Sequence, residues 1–193
     1  SRSTADGDLI ALCEDRVLKI LANKDALYNA DGDTNVIATN RVLGQATHYS
    51  GSYGISKNPE SFAAESYGVY FTDKTRGAVL RLSKDGLTPI SEAGMKNYFR
   101  DNLRHADKLI GSYDDKKDEY NLTIKSKNKE TTVSYAEKVR GWVSFKSFVP
   151  ENALSNSNDY YSFKDGNLWL HHSEDVDRNT FYGAGGFTPT SLE

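Results

Sequence analysis

The sequence predicts an all-β fold: a propeller-like repeat of antiparallel hairpins, or blades, with one inserted amphipathic helix. Three observations predict it. The segments Lys74-Thr75-Arg76-Gly77-Ala78-Val79 and Lys138-Val139-Arg140-Gly141-Trp142-Val143 nearly copy each other. Each follows an alternating aromatic run, and a charged turn ending in Gly between such runs is how a β-hairpin is written. Composition is the third: 37% hydrophobic residues, 12 Tyr and 8 Phe suit several small sheets with wet edges better than a helical bundle.

Taken in order, residues 9–21 alternate around Glu14-Asp15-Arg16 and return through Val17, Ile20 and Leu21. Residues 28–35 and 51–59 read as loops, on Asp31-Gly32-Asp33 and on Gly54 with Asn58-Pro59. Residues 69–82 turn at 74–77, and Lys84-Asp85-Gly86 leads into a further short strand through Thr88-Pro89-Ile90. A helix over about 91–105 follows, with Ser91 as N-cap and Met95, Tyr98, Phe99 and Leu103 at helical spacing. Arg100 and Arg104 at its far end complement the helix dipole. Residues 109–124 turn at 114–118, and residues 131–148 carry the second Lys-x-Arg-Gly copy. Together those two hairpins make four consecutive antiparallel strands, the size of one blade. Residues 150–159 read as a polar loop, and 160–172 as a hairpin turning at Asp165-Gly166. The tail over about 178–193 is expected to be loosely ordered.

The 193 residues are read as one β-repeat domain, and the start at Ser1 without Met leads us to expect a piece of a longer protein. A propeller needs at least four blades, roughly 160–200 residues. This chain supplies three to four, so either the blades are short or the ring is incomplete. A neighbouring chain or further sequence would then close it. A β-sandwich or barrel carrying one helix is the alternative.

Composition bounds function mainly by exclusion. A net charge of −3 with scattered cations does not suggest nucleic-acid binding. No window approaches the ~20 apolar residues of a membrane span. The single Cys13 excludes an internal disulfide and reads as a buried strand residue. No metal-ligand spacing, phosphate loop or nucleophile elbow is present, so no enzyme activity, catalytic residue, metal or cofactor is assigned. Asp31-Gly32-Asp33 lacks the closing acid of a calcium loop. The acids at Asp114-Asp115 read as turn solubility. His171-His172 beside Glu174 is the one His/acid cluster and reads as a solvated strand end. The residues kept as a candidate interaction surface are Trp142, Trp169, His171 and His172, although inter-blade packing is the simpler role for both tryptophans.

Several stretches carry a resemblance: Gly54-Ile55-Ser56-Lys57-Asn58-Pro59-Glu60-Ser61-Phe62, the run from Tyr70 to Leu82, Gly141-Trp142-Val143-Ser144-Phe145, and Tyr161-Ser162-Phe163-Lys164-Asp165-Gly166. Together they resemble a recurring region in large virion structural proteins, of the tail and muzzle type, of crAss-like and related podoviruses. The resemblance spans most of residues 9–183. It implies a virion tail protein, assembled in the host cytoplasm, whose partners are other tail subunits in a homo-oligomeric setting. A ligand-binding propeller recognising a host-surface glycan is the first alternative, and a propeller hydrolase the second.

Overall fold

A computed structural model describes residues 2–3, 7–28, 34–66, 68–177 and 180–183. Four antiparallel sheets follow one another along the chain, each built from consecutive strands. The first contains β1 (Arg2–Ser3), β2 (Leu9–Leu12), β3 (Val17–Tyr28) and β4 (Thr34–His48). The second contains β5 (Ala63–Ala64), β6 (Gly68–Asp73), β7 (Ala78–Ser83) and β8 (Gly86–Pro89). The third contains β9 (Lys108–Asp114), β10 (Glu119–Ser126), β11 (Lys129–Ala136) and β12 (Gly141–Lys146). The fourth contains β13 (Asn152–Asn156), β14 (Asp159–Lys164) and β15 (Asn167–Leu170). The all-β expectation holds, and no closed ring of blades is found among the described residues.

Strand alternation explains how the sheets stack, because successive side chains point to opposite faces. In the second sheet, Val69, Phe71, Leu80 and Leu82 pack with Ile10, Val17 and Ile55 near the first sheet. Tyr70 and Val79, one residue out of step, join the core formed with the third sheet. There Tyr113, Tyr120, Tyr135 and Trp142 pair across four strands as one row. Tyr70 stacks on this row, 4.8 Å from the Tyr120 ring and 5.6 Å from the Tyr113 ring.

The helix is shorter than the expected 91–105. It spans Lys96–Leu103, and Ser91 is buried in a 3-10 turn, Ile90–Glu92, instead of capping it. Gly94, at φ +80°, separates the two pieces with a conformation no helix continues through. The helix buries Phe99 and Leu103. No described helix is long and apolar enough to cross a membrane.

The repeated Lys-x-Arg-Gly motif also proves to be out of phase with its own turn. Three hairpins share a four-residue turn, at 74–77, 115–118 and 137–140, whose last residue has positive φ: Gly77, Asp118 and Arg140. The backbone N–H of Gly77 donates to Lys74 O, and that of Arg140 to Glu137 O. Gly occupies the left-handed position in the first copy, whereas Gly141 already opens β12 in the second. Gly77 has a second constraint, since a Cβ there would lie 2.7 Å from the Arg100 Cα.

Two expected loops are partly strand. β3 runs to Tyr28 and β4 starts at Thr34, so most of 28–35 that is described is ribbon; Asp31-Gly32-Asp33 lies outside the described residues. β13 occupies half of the supposed loop 150–159. Cys13 sits just after β2, half-buried, with its backbone N–H donating to Arg16 O. Of the tail 178–193, only 180–183 are described.

Candidate functional site

The opposite face of the third sheet is polar. Its row Ser112–Asn121–Ser134–Ser144 lies one residue away from the aromatic row in β9, β10 and β11, and two residues away in β12, where the register shifts between Ser134 and Tyr135. Ser112, Asp114, Asn121, Thr123, Thr132 and Ser134 are all buried. Buried polar groups are mostly hydrogen-bonded, and here the partners come partly from within the sheet and partly from the fourth sheet and the segments flanking it. Ser112 Oγ and Tyr160 Oη share a 2.7 Å hydrogen bond, and Ser155 Oγ donates to Tyr113 O at 2.8 Å. Thr132 Oγ1 donates to Phe148 O at 2.6 Å, and Ser134 Oγ donates to Asn121 Oδ1 at 2.6 Å.

Asp114 is the hub of this junction. Its Oδ1 accepts the backbone N–H groups of Lys116 and Lys117, closing the turn. Its Oδ2 lies 2.6 Å from His172 Nε2, which ties the third sheet to the segment after β15. Asp73 repeats the device in the second sheet. Oδ1 accepts the Arg76 N–H at 2.9 Å, while Oδ2 accepts the Gly54 N–H at 3.1 Å from the loop after the first sheet. Both aspartates are the last residue of a strand, directly before one of the shared turns, and both are fully buried. Asp114 is therefore a structural bracket between sheets rather than the solvated turn acid expected.

Where the third and fourth sheets diverge, a cleft of about 850 Å³ opens, lined among others by Phe145, Lys146, Trp169, His171 and Tyr182. Lys146 is committed: its Nζ donates to Glu119 Oε2 at 2.6 Å and to Asn121 Oδ1 at 3.1 Å. His171 is buried rather than solvated, with rings of Phe148 at 4.8 Å and Tyr160 at 5.0 Å. Burial, reinforced by neighbouring His172, pulls its pKa down to about 4, so the ring is neutral at pH 7. Its Nε2 lies 2.6 Å from Ser162 Oγ.

A Ser–His contact invites a nucleophile–base reading. Ser162 is fully buried, however, and among the described residues no carboxylate hydrogen-bonds His171. The pair thus satisfies two buried polar groups and offers no reacting atom to a substrate. No cluster of three or more metal-ligating side chains occurs among the described residues.

Of the four candidate residues, Trp169, His171 and His172 line the cleft together. Adjacent histidines on a strand would diverge, yet both pack near Tyr160 because they follow the end of β15 and His172 has φ +60°. Trp142 lies apart, tilted on Phe99 at 4.4 Å and donating Nε1–H to Ile90 O. Trp169 packs edge-on against Tyr182 at 5.5 Å. The sequence reading missed Asp73 and Asp114. Their one local signal is an acid placed between an aromatic strand and a charged turn.

A family model described as the Crassvirus muzzle protein matches residues 4–166. No curated protein matches the chain.

Proposed function

Because the chain belongs to the Crassvirus muzzle protein family, we propose that it is a tail component of the virion that works by assembly through contacts between subunits. Family membership makes it a virion structural protein; its action by subunit contact, in a homo-oligomeric setting and assembled in the host cytoplasm, is our reading. The observation that carries it is the family match over residues 4–166. The fold supports it physically. Successive meander sheets, each bracketed to the next, make a rigid body whose free faces can meet neighbours. We read the four sheets as blades of a propeller-like unit, a single β-repeat domain.

Proteomic analysis and antibody labelling of purified virions test the proposal. The chain is expected at the tail, in several copies per particle. Absence from intact particles, or efficient hydrolysis of a glycan by the purified chain, would overturn it.

The aromatic lining of the cleft favours a second reading, binding of a host-surface glycan through Trp169 and its neighbours. A folded Trp169→Ala variant that loses retention on host glycans would support it, and a silent glycan array would count against it.

A further inference from the structure

A lysine, an asparagine and a glutamate meet on the polar face of the third sheet, independently of any contact between subunits. Lys146 ends β12, and its Nζ lies 2.6 Å from Glu119 Oε2 and 3.1 Å from Asn121 Oδ1. Glu119 and Asn121 stand two positions apart on β10, hence on one face. β11 runs between β10 and β12, so the lysine reaches across it, and Ser134 of β11 pairs with Asn121 on one side and Ser144 on the other. The site is poorly hydrated: Asn121 is 1% exposed, and the side chains of Lys146 and Glu119 are 19% and 17% exposed. The Phe148 ring lies 5.8 Å from Nζ.

Two further details separate this cluster from an ordinary ion pair. Asn121 Nδ2 is buried and makes no hydrogen bond of ordinary length and geometry among the described residues, which is costly for an amide donor. Oδ1 of the same amide accepts Ser134 Oγ–H at 2.6 Å besides the lysine. The carbonyl is thus polarised, its NH2 end is unheld, and an amine with a carboxylate beside it stands at hydrogen-bond distance. Those are the parts of an amide-forming site: a nucleophile, its base, an electrophile with a donor at its oxygen, and a leaving group.

We propose that Lys146 and Asn121 join in a covalent isopeptide bond, formed by the folded chain itself. Glu119 takes a proton from the Lys146 ammonium, which leaves a neutral amine and a neutral carboxyl; scarce water favours that pair over two buried charges. The Nζ lone pair attacks Asn121 Cγ, and Ser134 Oγ–H stabilises the negative charge on Oδ1. Glu119 then gives its proton to Nδ2 and takes one from Nζ. The oxyanion collapses, the Cγ–Nδ2 bond breaks and ammonia departs, carrying away the unheld amide nitrogen. A lysine ammonium and an asparagine amide become a secondary amide and an ammonium ion, and no oxidant or cofactor is consumed. The bond clips the edge strand β12 to β10 across β11, where the β11–β12 ladder is irregular. It joins residues 25 positions apart and, unlike a disulfide, resists reducing agents.

Mass spectrometry of the intact whole chain tests this. Folded wild type is expected to weigh one ammonia less than its sequence, and a protease digest to contain one branched peptide carrying both Asn121 and Lys146. Lys146→Arg is expected to restore the full sequence mass. In a time course after cell-free synthesis, Glu119→Gln is expected to form the bond about a hundredfold more slowly. A wild type of full sequence mass overturns the inference and leaves an ordinary ion pair. So does a light chain without the branched peptide, which means that an asparagine has cyclised on its own backbone, and so does a light Lys146→Arg chain. An unchanged rate in Glu119→Gln overturns the proton transfers assigned to Glu119. The wild-type mass and digest decide the bond even where a variant loses its melting transition, and Glu119→Ala then repeats the rate measurement.

Discussion

Across β9–β12, the row Tyr113–Tyr120–Tyr135–Trp142 meets the second sheet, and the neighbouring row Ser112–Asn121–Ser134–Ser144 lies on the face toward the fourth. The strands are the same, and the register differs only at the irregularity between Ser134 and Tyr135 on the β11–β12 ladder, so the two junctions differ mainly in side-chain chemistry. The aromatic junction rests on buried area and ring packing, which are strong and weakly directional. The hydroxyl junction rests on short directional bonds, each adding only about 1 kcal/mol net but costly when one partner is missing. One sheet thus carries a stabilising face and a registering face.

The largest test of this contrast removes Tyr120, which is fully buried and donates Oη–H to Ser61 O at 2.8 Å. Tyr120→Ala is expected to cost about 3–5 kcal/mol in urea unfolding. A loss no greater than that of a single hydroxyl on the opposite face would erase the distinction.

The second test uses pH, and it touches only the polar side. His171 is neutral in the fold, with a pKa of about 4 against 6.5 for the free group. The unfolded chain therefore takes up a proton first as pH falls. Stability should drop from pH 6.5 toward pH 4, by up to about 3 kcal/mol, and then level off in this respect. His171→Gln should flatten that stretch of the curve measured by thermal melts. An unchanged slope would mean that other groups govern it.

The smallest effect concerns the Ser112–Tyr160 hydrogen bond. Ser112→Ala and Tyr160→Phe should each cost about 1 kcal/mol, while the double variant should cost clearly less than their sum. Strict additivity would show that this bond does not register the fourth sheet.

The hairpins were legible because their determinants are local. Asp165-Gly166 has positive φ at both residues, as a tight two-residue turn requires, and the four-residue turns at 74–77, 115–118 and 137–140 lie between alternating runs. β13 was not legible, because Asn152, Ser155 and Asn156 have no strand preference of their own and are held by the ladder to β14. Helix length failed at Gly94, whose backbone conformation outweighed a good N-cap residue at Ser91. The site was harder still. Asp114 meets His172 58 positions away and Asp73 meets Gly54 19 positions away, and nothing in local pattern announces either contact. Gly111 hides a similar fact, since a Cβ there would lie 1.9 Å from the Ser61 carbonyl oxygen, so only glycine admits that crossing. The likeness of the two Lys-x-Arg-Gly copies pointed to hairpins correctly and to equivalent turn positions incorrectly.

Every ladder among the described strands joins neighbours along the chain. A sheet can therefore close as soon as its own strands have left the ribosome, without waiting for distant sequence, and the loop-closure cost of each pairing stays small. Order of synthesis then becomes order of stacking. The first two sheets can bury Phe71 and Leu80 while the third is still being made. The third must wait for the segment after β15 before Asp114 gains His172. A product interrupted just before the fourth sheet would accordingly expose the hydroxyl face of the third sheet rather than its tyrosine row.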